Sequence, residues 1–131
     1  MHEFIPVNTP LITEADLRAV SETLANNWVS SEGPAVSEFE REFSKKVHRN
    51  FGVAVTNGTA ALELAFQSLK LEPGDEVILP AFTIISCALA VIKAGAKPVF
   101  VDVDEITCNI NTDMIEQALT SKTRAILVVH T

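Results

Sequence analysis

The sequence predicts an α/β fold: a mostly parallel sheet with flanking helices. From residue 51 onward, short apolar runs alternate with segments of helical periodicity. The runs are apolar on both alternating faces, which is typical of strands covered on both sides in a parallel sheet. Gly, Pro or Asn marks most of the turns between them. Strands that alternate with helices in this way indicate βαβ units.

Residues 1–50 are predicted to form an extended arm and two helices. Two prolines keep the stretch from His2 to Ile12 out of the helical region. Thr13, supported by Asp16, is the predicted N-cap of a first helix that ends at Asn26–Asn27. After a loop over residues 28–34, a second helix is predicted from an apolar stripe at helical spacing, formed by Val36, Phe39, Phe43 and Val47.

The βαβ units are predicted over residues 51–131. The expected strands are Phe51–Thr56, Glu76–Leu79, Lys97–Asp102 and Ala125–Val129. The expected helices lie between them, over Ala60–Lys70, over Thr83–Ala94 and from a cap at Thr112 through Leu119. A parallel strand requires neighbouring strands and covering helices. Because the sequence stops just after a strand, we expect it to be the N-terminal part of a longer polypeptide.

Composition excludes several classes of protein. The chain has 131 residues, 47% of them hydrophobic, which suits one globular domain or part of one. Its 10 basic residues are scattered among 17 acidic ones, so no nucleic-acid partner is expected. The longest apolar run is about half of a bilayer span, and no targeting signal opens the chain. Two cysteines without metal-ligand spacing predict no metal site and fit a cytoplasmic location.

The segment Val55–Leu62 predicts a phosphate-binding site. A strand leads through Asn57-Gly58-Thr59 into a helix whose first amides, at the positive end of the helix dipole, are free to bind an anion. Gly58 allows a tight turn, and the small residue Ala60 allows close approach. The alternative is that Thr59 simply caps the helix with nothing bound. Neither the dinucleotide nor the P-loop glycine fingerprint is present.

The end of the second predicted strand supplies a second candidate region. Residues 79–86 reach the carboxyl edge of the sheet, where open α/β folds bind ligands. Phe82 or Ile84 is suited to lie against a flat ring, with core packing as the alternative for Phe82. Thr83 is the predicted cap of the following helix.

These residues resemble a known family. Gly58-Thr59-Ala60-Ala61-Leu62, Pro73-Gly74-Asp75-Glu76-Val77-Ile78, Pro80-Ala81-Phe82-Thr83 and the segment Gly95–Asp104 stand in the order and spacing of the DegT/DnrJ/EryC1/StrS group of nucleotide-sugar aminotransferases. Residues 28–34 and 82–87 look most like its perosamine synthetase members. The resemblance implies the aspartate-aminotransferase fold (fold type I), with this chain as the early part of the large, pyridoxal phosphate (PLP)-binding domain.

The resemblance also implies roles for individual residues. Thr59 and Ala60 would donate backbone hydrogen bonds to the cofactor phosphate, and Gly58 would shape the turn. Ile84 falls where many members stack an aromatic ring on the cofactor, so it keeps an apolar contact but departs from the family pattern. The other implied residues are Phe82 and His130 near the cofactor, and Trp28, Ser30 and Ser31 near the sugar nucleotide.

The implied activity is transfer of an amino group, with glutamate the expected donor, to a nucleotide-linked 4-keto-6-deoxy sugar by a homodimeric enzyme. The family's Schiff-base lysine and the aspartate that pairs with the cofactor's ring nitrogen are expected beyond residue 131. We therefore expect no catalytic residue in this chain and no activity from it by itself. Two alternatives stay open: a non-catalytic module that binds a phosphate ligand, and a nucleotide-binding oxidoreductase.

Overall fold

A computed structural model describes residues 4–130 and divides the chain into two compact units, one up to Ala54 and one from Val55 onward. The first unit contains α1 (Glu14–Ala25) and α2 (Pro34–Lys46). Thr13 caps α1 as predicted, because Thr13 N donates to Asp16 Oδ2 at 2.7 Å and Asp16 N donates to Thr13 Oγ1 at 3.4 Å. The start of the predicted arm, at His2 and Glu3, lies outside the described residues, and residues 4–12 form neither helix nor strand.

The second unit is built around a parallel sheet. Its elements are α3 (Gly58–Ser68), β1 (Glu76–Pro80), α4 (Ile85–Lys93), β2 (Lys97–Val101), α5 (Thr112–Ala118) and β3 (Thr123–Ile126). β1 lies in the middle and pairs in parallel with both neighbours, in the order β2-β1-β3. The predicted fold class, a parallel sheet with flanking helices, is confirmed.

The predicted strand Phe51–Thr56 is wrong. Residues 51–55 form no strand within the part of the chain that the structure describes, and the side chains of Phe51 and Val53 are 87% and 70% exposed. A β-branched run becomes a strand only where a second strand meets its backbone, and none of the described strands pairs with it. Ala54 N donates instead to the Glu40 side chain, at 2.8 Å from Oε1.

The core of the second unit lies between β1 and the helices α3 and α4. Val77 is fully buried against Phe66 and Val91, and Leu79 is fully buried against Cys87 and Ala88. Val77 and Leu79 point to the same face of the strand because side chains alternate along it. An ion pair also joins the two helices, with Lys93 Nζ 2.6 Å from Glu63 Oε1. The packing therefore holds α3 and α4 side by side on one face of the sheet.

At the amino end of the sheet, the Glu76 carboxylate is nearly buried and accepts two hydrogen bonds. Thr120 Oγ1 donates to its Oε2 at 2.6 Å, and Lys97 Nζ donates to its Oε1 at 3.2 Å. The Thr120 hydroxyl and then Lys97 hold the pKa of Glu76 below its ordinary value of 4.5. One carboxylate thus connects the first residues of β1 and β2 with the turn that precedes β3.

This arrangement predicts a pH dependence of stability. Because the pKa of Glu76 is lowered in the folded chain, its contribution is complete above about pH 4.5 and is lost as the pH falls through the folded-state pKa. Glu76→Gln cannot titrate, so we expect it to be less stable than wild type at pH 7 and to lose less stability between pH 7 and pH 3. Urea unfolding at several pH values measures both differences.

Glu72→Gln is the matched control for that experiment. Glu72 is exposed, and its carboxylate accepts no hydrogen bond from any described residue. We expect its unfolding midpoints to follow the wild type at every pH. A Glu76→Gln chain that loses as much stability in acid as the wild type would show that the Thr120 and Lys97 contacts do not stabilise the sheet.

Among the described residues, three features are absent: a disulfide, a metal-binding cluster and a membrane-spanning helix. Neither Cys87 nor Cys108 is in a disulfide. Across residues 4–130, no group of three or more His, Cys, Asp or Glu side chains could hold a metal ion. In the same range, no helix is both long enough and apolar enough to cross a membrane.

Candidate cofactor-phosphate site

The start of α3 leaves two backbone amides open. Asn57, in an extended conformation, is the N-cap: its Oδ1 accepts from Ala60 N at 2.9 Å, and its carbonyl oxygen accepts from Ala61 N at 3.1 Å. The amides of Gly58 and Thr59 have no acceptor among the described residues. Thr59 was the alternative cap, and that alternative is wrong because Asn57 occupies the cap position. The open donors are therefore those of Gly58 and Thr59, while the amide of Ala60 is already bonded.

An open cavity of about 640 Å³ lies at this helix start. It brings together residues from the beginnings of two helices, namely Gly58, Thr59, Ala61, Leu62, Ala65, Ile84 and Ser86. Of the predicted cofactor residues, the cavity thus collects Gly58, Thr59 and Ile84. The side chains of Ile84 and Leu62 give it an apolar wall, and the open amides and two hydroxyl groups give it hydrogen-bond donors.

The other predicted cofactor residues do not line this cavity. Phe82 precedes it by two positions, is 55% exposed, and is absent from the lining. His130 is exposed and follows Val129, which packs against Leu79 and Cys87 beyond the carboxyl end of β1. The roles of Phe82 and His130 stay predictions. The Ala60 amide, predicted to donate to the phosphate, is bonded to Asn57 Oδ1 instead.

The start of α4 differs from the prediction. Thr83 is not its cap, because its hydroxyl donates to Cys87 Sγ at 3.2 Å and the helix begins one residue later. Ile84 takes the N-cap position and has no side-chain acceptor, so the amides of Ile85 and Ser86 lack a side-chain cap. Ser86 also lines the cavity and was not among the predicted site residues. A small polar residue just inside a helix after a strand–proline–loop sequence is the signal that could have found it.

The electrostatics of the cavity favour an anion. None of its lining residues is charged, although the chain as a whole has a formal net charge of −7. The first turns of α3 and α4 contain no acidic residue, whereas those of α1 and α5 do. The positive ends of two helix dipoles are therefore not neutralised where they meet the cavity. A phosphate is the group that such a helix start binds best.

The glycine at position 58 is not needed for backbone conformation. Its φ is not in the left-handed region, in contrast to Gly74 at +98° and Gly95 at +85°. A Cβ placed on Gly58 would meet no atom within 4 Å. A tight turn, which the sequence predicted as the role of Gly58, therefore does not explain why a glycine is present here. What Gly58 provides is open space at the start of α3, beside two free amides.

In the first unit, Trp28, Ser30 and Ser31 lie in the loop between α1 and α2. Trp28 is 44% exposed and borders a separate cavity of about 320 Å³, which neither serine lines. Ser30 Oγ accepts from Glu32 N at 3.4 Å, and Ser31 is exposed. Their predicted contact with a sugar nucleotide stays a prediction.

Several solved structures with this fold are described as sugar aminotransferases, and another is a dehydratase that binds PLP. The putative sugar aminotransferase Spr1654 from Streptococcus pneumoniae in its PLP form is 40% identical and superposes with a TM-score of 0.81, covering 93% of this chain and 31% of that one. Its PMP form gives a TM-score of 0.83 over 95% of this chain and 31% of that one. A GDP-4-keto-6-deoxymannose-3-dehydratase with a trapped PLP-glutamate geminal diamine is 27% identical, with a TM-score of 0.84 over 94% of this chain and 33% of that one.

The fold is shared with sugar aminotransferases of known structure, and the sequence assigns the chain to one aminotransferase family. The chain belongs to the DegT/DnrJ/EryC1/StrS aminotransferase family, whose sequence pattern matches residues 10–131. It is 41% identical over 128 residues to the GDP-perosamine synthase of Escherichia coli O157:H7, covering 98% of this chain and 35% of that protein. It is 43% identical over 129 residues to the spore coat polysaccharide biosynthesis protein SpsC of Bacillus subtilis (strain 168), covering 98% and 33%. The chain thus spans about a third of the length of the curated relatives it matches.

Proposed function

We propose that this chain forms the phosphate-binding part of the cofactor site in a PLP-dependent sugar aminotransferase. The observation that supports it best is a single cavity lined by Gly58 and Thr59, whose amides have no acceptor among the described residues, and by the apolar residue Ile84. This arrangement fits PLP, which has a phosphate at one end and a flat ring at the other. PLP supplies the electron sink that allows an amino group to move from a donor to a keto sugar.

Each residue of the site has a proposed task. Gly58 and Thr59 donate backbone hydrogen bonds to the phosphate, and the Thr59 hydroxyl adds a third donor. Ile84 contacts the ring through its apolar side chain and keeps water from that face. Leu62 is partly buried against Leu79 and Cys87, so the wall of the cavity is supported by the core. Trp28, Ser30 and Ser31 contact the nucleotide sugar, and His130 lies near the cofactor.

The wider proposal concerns the protein that contains this chain. It uses glutamate as amino donor and a nucleotide-linked 4-keto-6-deoxy sugar as acceptor, acts as a homodimer and is cytoplasmic. Residues 1–131 are the N-terminal part of its large domain, and the lysine that binds PLP covalently lies in later sequence. The family match, the names of the relatives and the PLP-containing neighbours support this proposal.

The phosphate site is tested by titrating the ¹⁵N-labelled chain with pyridoxamine phosphate (PMP). PMP carries the same phosphate as PLP but no aldehyde, so it cannot react with the six lysines of the chain. Pyridoxamine, which lacks the phosphate, is the matched control. We expect PMP to shift the amide resonances of Gly58 and Thr59 most strongly and pyridoxamine to leave them in place. Equal shifts by both ligands, or PMP shifts confined to lysine-rich surfaces, would overturn the phosphate assignment.

The catalytic part is tested on the product of the whole reading frame that encodes the chain. We expect that product to take up PLP, to absorb visible light and to transfer the amino group of glutamate to a nucleotide-linked 4-keto sugar. A colourless product that does not take up PLP would overturn the aminotransferase proposal. If that product gave the Gly58 and Thr59 response without any transfer, it would be the non-catalytic binding module instead.

A further inference from the structure

Asn57 determines which amides of α3 remain open. Its Oδ1 accepts from Ala60 N at 2.9 Å, so the third amide of the helix is bonded while the first two, of Gly58 and Thr59, are not. A cap of this kind satisfies one amide of the first turn with a side-chain acceptor. The amides that stay open belong to Gly58 and Thr59, the two residues that line the cavity.

Asn57 is also uncharged, although a charged side chain would cap this helix at least as well. Asp and Asn are equally preferred at N-caps, and a carboxylate gains further from the helix dipole. α1 places a carboxylate near its start, because Asp16, in the first turn, accepts from Thr13 N in the capping box. At α3, a carboxylate would stand one residue from the open amides and would repel a phosphate dianion.

We propose that Asn57 is a positioning residue of the cofactor site, which bonds the Ala60 amide so that Gly58 and Thr59 face the phosphate and which keeps the helix start free of negative charge. The inference rests on the proposed function, because it assumes that the cavity takes a phosphate. Asn57 bonds Ala60 N and does not line the cavity, so it acts through the two amides beside it.

The test compares Asn57→Asp with the wild-type chain in two measurements, urea unfolding and PMP affinity from the ¹⁵N titration. Asp keeps the acceptor for Ala60 N, so we expect the unfolding midpoint to stay equal or to rise. The added charge is expected to weaken PMP binding at least about 10-fold, equivalent to about 1.4 kcal/mol. A purely structural cap would not separate the two measurements in this way.

Two further variants complete the experiment. Asn57→Ser keeps a neutral acceptor, so it is expected to retain most of the PMP affinity. Asn111→Asp makes the same change at the N-cap of α5, where Asn111 Oδ1 accepts from Asp113 N at 3.0 Å and no residue of the cavity is involved. We expect it to bind PMP as the wild type does, which separates a local effect from a change in net charge.

The outcomes distinguish this inference from the proposed function. A wild-type chain that gives no phosphate-dependent response overturns both. A wild-type response with equal PMP affinity in Asn57→Asp leaves the proposed function standing and overturns the role of Asn57. That role is likewise overturned if Asn111→Asp weakens PMP binding as much as Asn57→Asp. Should Asn57→Asp fail to fold, a large loss of PMP affinity in a folded Asn57→Ser chain overturns the role, and retained affinity supports it.

Discussion

Replacing Gly58 by alanine is expected to make the chain more stable and its phosphate binding weaker. Gly58 is the first residue of α3, its φ is not in the left-handed region, and a Cβ there would meet nothing within 4 Å. Alanine restricts the unfolded chain more than glycine does, so stability should rise by about 0.4–1 kcal/mol. The new methyl group would occupy the space in front of the open amides, and we expect PMP affinity to fall at least about 10-fold, or about 1.4 kcal/mol.

Gly74→Ala is the matched control for this prediction. Gly74 also has no neighbour within 4 Å of a Cβ position, but its φ of +98° is unfavourable for alanine. We expect it to lose about 1–2 kcal/mol of stability and to bind PMP as the wild type does. If Gly58→Ala left PMP affinity unchanged, the phosphate would not approach the backbone at this position.

The largest expected loss of stability comes from Leu79→Ala. Leu79 is fully buried at the end of β1, against Cys87 and Ala88 of α4 and partly buried Leu62 of α3. Removing most of a buried leucine side chain costs about 2–5 kcal/mol, because the lost transfer energy is added to the cost of a cavity. The free energy of unfolding of a domain is only about 5–15 kcal/mol, so this loss is a large part of it. Urea unfolding measures the change.

Two further variants serve as controls for Leu79→Ala. Leu69→Ala removes the same atoms from a side chain that is 51% exposed, so its loss should be less than half as large. Leu79→Met conserves volume and should cost less than about 1.5 kcal/mol, which keeps a folded chain available for measurement. Equal losses in Leu79→Ala and Leu69→Ala would mean that the contact between β1 and α4 is not the centre of the core.

Much of the second unit is predictable from sequence because local pattern and tertiary packing agree there. β1, β2 and α4 lie within one or two residues of their predicted bounds; β1 is buried along its whole length, α4 buries four residues, and β2 buries Val101. Phe51–Thr56 has an equally clear pattern but no strand beside it among residues 4–130. Pairing is a property of two segments, so one segment's residues cannot reveal it.

Helix starts were the least predictable feature of the candidate site. Threonine was the expected or alternative cap at positions 59, 83 and 112, and in the structure the caps are Asn57, Ile84 and Asn111. At α3 and α5 an asparagine lies one or two residues before the threonine, and asparagine is at least as strongly preferred at N-caps. At α4 the Thr83 hydroxyl bonds Cys87 Sγ instead of the helix backbone. The family resemblance implied that Thr59 and Ile84 lie at one site, and both line the cavity. The strand-end rule does not explain Thr59, because the strand predicted before it is absent, and Ser86 was not predicted.

The hydrogen bonds of Glu76 have a consequence for engineering. They lie where the strands begin, whereas the helix-start cavity follows the point where β1 ends. Substitutions that strengthen the Glu76 hydrogen bonds at the amino end of the sheet can therefore be introduced without altering the cavity residues at the carboxyl end. Thermal robustness and ligand affinity can be optimised separately in this chain.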